Sequence, residues 1–291
     1  MRLHPQWLSN VVTVPYVPTL GPVHPAADTT ALFEAVLHAP PGRFLAYDKD
    51  ARWSDRKDEQ VLPQHVEHSA ARTTIATLGR RRGGRVTVYH YTPAPPDLTR
   101  ARQQATELAA DQHATGARVV WFQHDPPPSD ATPEATCVRA LLAPTGAVGD
   151  PPDRPVVALD DCPPQIRSTF GDFARRARDG MAHLARRWSQ GSVRDPILVA
   201  VQDGRVVAAI GPMRTHPGPT GDRQLLPQYF AVLPAHRRGG HGRALWRAAQ
   251  QWGRDAGAAY QLLQVIPGSP ADTLYRSENV GSLGYVCAVT A

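Results

Sequence analysis

The stretch Gln228 to Arg254, QYFAVLPAHRRGGHGRALWRAAQQWGR, constrains this chain more than any other. It opens on an apolar, β-favouring run, Tyr229-Phe230-Ala231-Val232-Leu233. Pro234 ends that run because it cannot donate to a sheet ladder. Gly239, Gly240 and Gly242 follow among basic residues, and then Leu245, Ala248, Ala249, Trp252 and Ala256 recur at helical spacing. The order is strand, glycine-rich basic turn, helix N-terminus. A turn of this kind aims unpaired backbone N–H groups outward, where the positive end of the helix favours phosphate, and glycine lets the ligand approach without a Cβ in the way.

Rival phosphate motifs fit less well. A Walker loop needs Gly-Lys-Ser/Thr, and Lys49 and Lys57 are the only lysines. A dinucleotide fingerprint needs a third glycine where Leu245 stands. The pattern Arg237-Arg238-Gly239-Gly240-His241-Gly242, preceded by Val232-Leu233-Pro234, resembles the coenzyme-binding loop of the GNAT superfamily of acyl-CoA-dependent N-acyltransferases. The resemblance implies that this loop cradles the pyrophosphate of coenzyme A. Ala231, Val232, Leu233, Arg237, Arg238, Gly239, Gly240, His241, Gly242, Arg243 and Ala244 are then the contact candidates. Ala271-x-x-Leu274-Tyr275 resembles the family's A-x-x-L-Y motif; it adds Ala271 as a contact and Tyr275 as general acid for the departing thiolate. Three departures stand out. Gly268 replaces the usual Asn, residues 276–283 look inserted before Gly284-Tyr285, and the chain stops after one strand, Tyr285 to Val289. The family's last strand is absent or supplied from elsewhere.

Length suits two domains. Residues 1–150 hold 15 basic and 15 acidic side chains, so the whole net charge of +6 lies in the second half with the glycine loop. A basic half suits an anionic ligand such as coenzyme A, or an acidic carrier protein. Nucleic acid is disfavoured, since no basic helix, zinc finger or RNA-binding signature appears. Without an apolar run long enough for a bilayer, and with no secretory signal at Met1-Arg2-Leu3, a cytoplasmic protein is expected. Cys137, Cys162 and Cys287, odd in number and widely spaced, suggest neither a disulfide framework nor a zinc site.

In chain order, Val11 to Val14 is a short β-like run and Ala31 to Leu37 a helix capped by Asp28, Thr29 or Thr30. Residues 48–68 read as a surface loop in which His65 and His68 lack a third metal ligand. Thr73 to Leu78 and Arg85 to Tyr91 make a hairpin. A helix capped by Asp97 runs to Gly116, and Val119 to Phe122 is a buried strand. This order echoes the second half without its glycine loop, so residues 1–125 are either a degenerate GNAT-like repeat or an unrelated α/β domain. The prolines of 126–155 suggest a semi-rigid linker, with a short helix near Ala135 to Leu142. In 156–291, Val156 to Leu159 is a strand. Ile166, Phe170, Phe173, Ala177, Met181, Leu184 and Trp188 share a helical face broken at Gly180, and 197–210 is a hairpin turning at Asp203-Gly204. Gln261 to Ile266 is a strand, and Ser269-Pro270-Ala271-Asp272 starts a helix.

The expected fold is α/β (α+β): a GNAT-like mixed central sheet flanked by helices, preceded by a second α/β domain. The expected activity is transfer of an acetyl or longer acyl group from acetyl-CoA or acyl-CoA to a primary amine of a small molecule or peptide, without metal, nucleic acid or membrane. Two alternatives stand beside it: an acyl carrier protein as donor, or a non-catalytic coenzyme- or partner-binding module. A dimer is left open. Residues 228–233 carry no carboxylate, so His216, Asp222 or a water chain is left as the base.

Overall fold

The computed structural model describes residues 11–127, 134–146, 154–177 and 180–291. In the first half, Arg72–Gly79 (β1) and Arg85–Tyr91 (β2) form the expected antiparallel hairpin. Leu98–Asp111 (α1) starts where Asp97 accepts from the N–H groups of Thr99 and Arg100, and it buries Ala101, Ala105 and Leu108. The helix stops at Asp111, and Gly116 instead opens the strand Gly116–Gln123 (β3). β3 lies parallel to β2 from Arg85↔Gly116 to His90↔Trp121, as a helical crossover allows. The helix Thr29–Leu37 is capped by Asp28 as expected, whereas no strand forms at Val11 to Val14; Tyr16–Val17 pairs with Gly21–Pro22 instead.

Residues 48–68 are not a free loop. Asp48 and Lys57 form a buried ion pair at 2.5 Å, and Glu59–Val61 and Glu67–Ser69 add to β1. His68 hydrogen-bonds Thr73 through Nδ1, and no cluster of three or more metal-ligating side chains occurs among the described residues.

In the second half, Phe170–Ala177 (α2) and Met181–Ser189 (α3) follow a single turn at Pro164–Arg167. They bury Phe170, Phe173, Met181 and Leu184 on the expected face. Gly180 separates them at φ +82°, where a Cβ would lie 2.3 Å from the Tyr229 ring. Leu198–Gln202 (β5) and Arg205–Gly211 (β6) pair through Asp203-Gly204, both at positive φ, as a two-residue hairpin requires. Tyr229–Val232 (β7) pairs with β6. His241–Asp255 (α4), Ala258–Val265 (β8), Pro270–Ser277 (α5) and Gly281–Thr290 (β9) complete the chain. The expected insertion at 276–283 resolves into the end of α5, a short turn and the start of β9.

The expected helix near Ala135 to Leu142 is a strand, Thr136–Pro144 (β4), so the linker reading is corrected over those residues. Its consecutive buried residues, Arg139, Ala140 and Leu141, are satisfied only inside a sheet covered on both faces. β4 lies between β8 and β9, antiparallel to both, and β9 lies between β4 and β3. Each half thus gives its last strand to the other: β4 fills the sheet position beside β8, and β9 fills the one beside β3. The missing final strand of the second half is supplied from residues 136–144. One sheet runs unbroken from β8 to β1, and Cys137–Cys287 bridges the exchanged strands at a register pair, correcting the reading of three unpaired cysteines. Arg139 of β4 also meets Asp272 of α5 at 2.6 Å, both buried.

Candidate active site

The site is a place where two strands do not pair. β7 ends a four-stranded sheet and β8 belongs to the other sheet. Among the described residues, side chains tie the segment just before β7 to the middle of β8. Gln261 Nε2 of β8 donates to Gln228 Oε1 at 2.7 Å, and Gln250 Nε2 of α4 donates to Gln261 Oε1 at 2.6 Å. Beyond this glutamine relay the strands part. Leu233 N–H donates to Val207 O on β6 at 3.0 Å. Hydrogen-bonded and non-hydrogen-bonded pairs alternate along an antiparallel ladder, so the N–H groups of Val232 and Phe230 face away from β6, into the gap. In the first half the equivalent strands do not part in this way, because β2 and β3 pair from Arg85↔Gly116 to His90↔Trp121.

The glycine loop stands at the open end. Arg238 (φ +63°) and Gly240 (φ +83°) take left-handed backbone, and α4 starts at His241. The N–H groups of residues 238–243 make no hydrogen bond among the described residues. The first N–H groups of a helix have no intrahelical partner, so an anion is their natural complement. A Cβ at 242 would make ordinary contacts with Phe230, Val232 and Leu274, whereas one at 240 would stand 3.4 Å from Arg154 Nε. Arg154 is therefore a further cation at this loop, invisible to the motif because 83 residues of sequence separate it from Arg237.

The motif side chains divide into those that face the loop and those that fix it. His241 is buried and turned toward β5: its Nε2 and His236 Nδ1 both donate to Gln202 Oε1, at 3.3 and 3.2 Å. Burial, with Arg154 and His236 nearby, lowers the His241 pKa. Arg243 pairs with Glu278 at 2.9 Å and donates to Ser277, and Arg247 also pairs with Glu278 at 2.9 Å; together they lock α4 to the end of α5. Arg237 donates to Val232 O at 3.4 Å. Leu233 and Ala244 are buried, and Ala231 is half-buried on the face toward α2 and α3. Arg154 and Arg238 have no ion-pair partner among the described residues.

Helix α5 starts as expected, with Ser269 accepting from Asp272 N–H at 3.2 Å, but Asp272 Oδ2 accepts from Gly268 N–H instead of closing a capping box. Leu274 faces Gly242. The Tyr275 ring is buried beside Trp246, centroid to centroid 4.8 Å, in a cluster with Leu141 of β4, Leu263 and Val265; Ala271 packs against the same cluster. Burial pushes the Tyr275 hydroxyl well above its ordinary pKa, so it stays protonated at neutral pH. His216 and Asp222 are not at the gap. His216 lies on an outer strand that reaches Tyr260, at the start of β8, through Gln224, while α5 follows Val265 at its end. Five strand residues separate those ends, about 17 Å.

A further group lies at the start of β7, contributed by three segments distant in sequence. Tyr229 meets Trp53 at 5.7 Å and His183 at 6.2 Å, and Trp53 meets His183 at 6.0 Å. Burial, reinforced by Arg186 and Arg187, lowers the His183 pKa, so its ring is neutral at pH 7.

Residues 194–279, which include β5 to α5, match the family model of the acetyltransferase (GNAT) domain. Over residues 194–279 this chain is thus similar to a GNAT acetyltransferase domain. Among solved structures, a GCN5-related N-acetyltransferase from Sphaerobacter thermophilus is similar at TM-score 0.50 and 14% identity, over 84% of this chain and 83% of its own. A tandem GNAT protein from the clavulanic acid biosynthesis pathway is similar at TM-score 0.48 and 13% identity, over 98% of this chain and 93% of its own. No curated protein matches the chain. No helix among the described residues is long and apolar enough to cross a membrane.

Proposed function

We propose that this chain transfers an acetyl group from acetyl-CoA to a primary amine by direct attack. The observation that carries the reading is the unpaired edge of β7, with Val232 N–H turned into the gap, beside a loop of six unbonded N–H groups. The residues fit the donor. The N–H groups of 238–243, with Arg154 and Arg238, suit a pyrophosphate, and the parted strands β7 and β8 suit an extended chain ending in a thioester. Val232 N–H then donates to the thioester carbonyl and stabilises the charge that develops there. Tyr275 is the acid for the departing thiolate; its protonated phenol supports the role. In place of His216, a water chain takes the proton from the incoming ammonium, since His183 Nδ1 already accepts from Arg186 at 3.2 Å.

Gly242→Asp tests the reading. A Cβ fits there, and a carboxylate in the first turn of α4 favours the helix while repelling phosphate. The variant should fold with unchanged stability and lose acetyl-CoA binding by calorimetry, while the parent binds one equivalent per chain because the equivalent first-half strands do not part in this way. Unchanged affinity, or two equivalents, would remove the basis of the assignment.

A further inference from the structure

The ring triad at the start of β7 carries a cation with no hydrogen-bond or ion-pair partner among the described residues. Arg52 lies at the end of a short helical turn, Lys49–Arg52, directly before Trp53, and its guanidinium carbon stands 4.8 Å from the Trp53 ring. Its Nε and Nη1 are shielded from solvent and have no hydrogen-bond partner among the described residues. Among the neighbouring charges, Asp50 acts on Arg52 most strongly and favours its charged form, Arg214 pairs with Asp195 at 2.8 Å, and Arg187 donates to the Trp53 carbonyl. Donors shielded from solvent without an acceptor are costly, and native proteins rarely leave them so.

The segment holding Arg52 is built to be rigid. The chain's only two lysines fasten it: Lys57 donates to Thr19 O at 2.5 Å and to Asp48, and Lys49 donates to Leu20 O. Asp48 caps the turn by accepting from Asp50 N–H at 3.0 Å. Burial, the largest influence, pulls the Arg52 pKa down to about 10, where it still carries its charge at neutral pH.

Resting on the acyl-transfer reading above, we propose that Arg52 binds the carboxylate of the acceptor, which is a primary amine held several bonds from that carboxylate. A guanidinium offers two parallel N–H donors matched to a carboxylate, and Trp53, His183 and Tyr229 enclose the intervening methylenes. Tyr229 and small Ala231 share the face of β7 toward α2 and α3, and two strand residues span about 7 Å, which sets the distance from carboxylate to reacting nitrogen. The first half therefore selects the acceptor while the second half holds the donor.

The test compares 6-aminohexanoate, 6-aminohexanamide and hexylamine in coenzyme release from acetyl-CoA. The parent should favour the carboxylate by at least about ten-fold in kcat/KM, since a hydrogen bond to a charged group is worth about 10- to 100-fold. Arg52→Gln should remove that preference and leave the amide, the alkylamine and acetyl-CoA affinity unchanged. Arg52→Lys, which keeps the charge and loses the fork, should fall between them and guards against a misfolded Gln variant. Equal use of all three amines by the parent, or an equal loss for all three in the variants, overturns the proposal. If acetyl-CoA binds and no amine is acetylated, the acyl-transfer reading fails. Calorimetry with 6-aminohexanoate then decides for Arg52: binding lost in Arg52→Gln supports it, and no difference overturns it.

Discussion

The exchange of strands makes a residue of the first half structural for the site of the second, and Arg139→Met exposes this. Arg139 projects from β4 onto Asp272, one turn before Tyr275 on α5, and both side chains are buried. Burial raises the pKa of Asp272, but the Gly268 N–H with Arg276 and Arg139 outweighs it and holds the carboxyl below its ordinary value. Removing Arg139 leaves that carboxylate buried with Gly268 N–H and the largely exposed Arg276. Stranding one member of a buried ion pair costs about 3–5 kcal/mol. The contact is close but off the hydrogen-bond axis, since neither Arg139 Nη2 nor Asp272 Oδ1 makes a hydrogen bond, so the low end, about 3 kcal/mol, applies. Against a total stability of about 5–15 kcal/mol this is a large share. Urea unfolding should report it directly, and a melt should fall by about 6–12 °C. Arg139→Met/Asp272→Asn removes both charges and keeps an acceptor for Gly268 N–H, so it should recover about 1–2 kcal/mol of the loss. A single variant that costs less than about 1 kcal/mol, or a double no more stable than the single, would refute the coupling of β4 to α5.

Three further outcomes follow. Tyr275→Phe should keep acetyl-CoA affinity and folding while turnover falls by roughly 10²–10⁴-fold, least for donors with acidic thiols; near-normal turnover would reduce Tyr275 to packing against Trp246. His90 is buried with neither ring nitrogen bonded, and burial, with Arg72 nearby, pulls its pKa from 6.5 to about 4. The unfolded chain therefore takes its proton first as pH falls. The stability present above pH 6.5 drains between 6.5 and 4, by about 2 kcal/mol at pH 5 and about 3 kcal/mol in all. His90→Leu should flatten that part of a melting-temperature profile, and an unchanged slope there would count against it. A fragment of residues 154–291 lacks β4, leaving β8 and β9 unpaired on the sides it filled. It should aggregate or stay unfolded by circular dichroism, and a stable, active monomer would contradict the exchange.

The sequence alone carried what is local. Hydrophobic period, the two-residue turn at Asp203-Gly204, and the Asp28, Asp97 and Ser269 caps marked hairpins and helices close to where they lie. The glycine loop was legible for the same reason, since backbone N–H groups at a helix start need only neighbours in sequence. Side-chain roles within the loop were not: His241 matched the motif, yet its ring turns to Gln202, a contact 39 residues away. What tertiary structure decided is everything that depends on which strand lies beside which. Ala135 to Leu142 is expected as a short helix in isolation, and only a place between β8 and β9 makes residues 136–144 the strand β4. The gap itself is a pairing that does not occur, which no periodicity records. Arg52, Trp53, His183 and Tyr229 come from three segments with no shared motif. They meet because the two halves exchange strands and form one body, and proximity of that kind is a property of the folded chain.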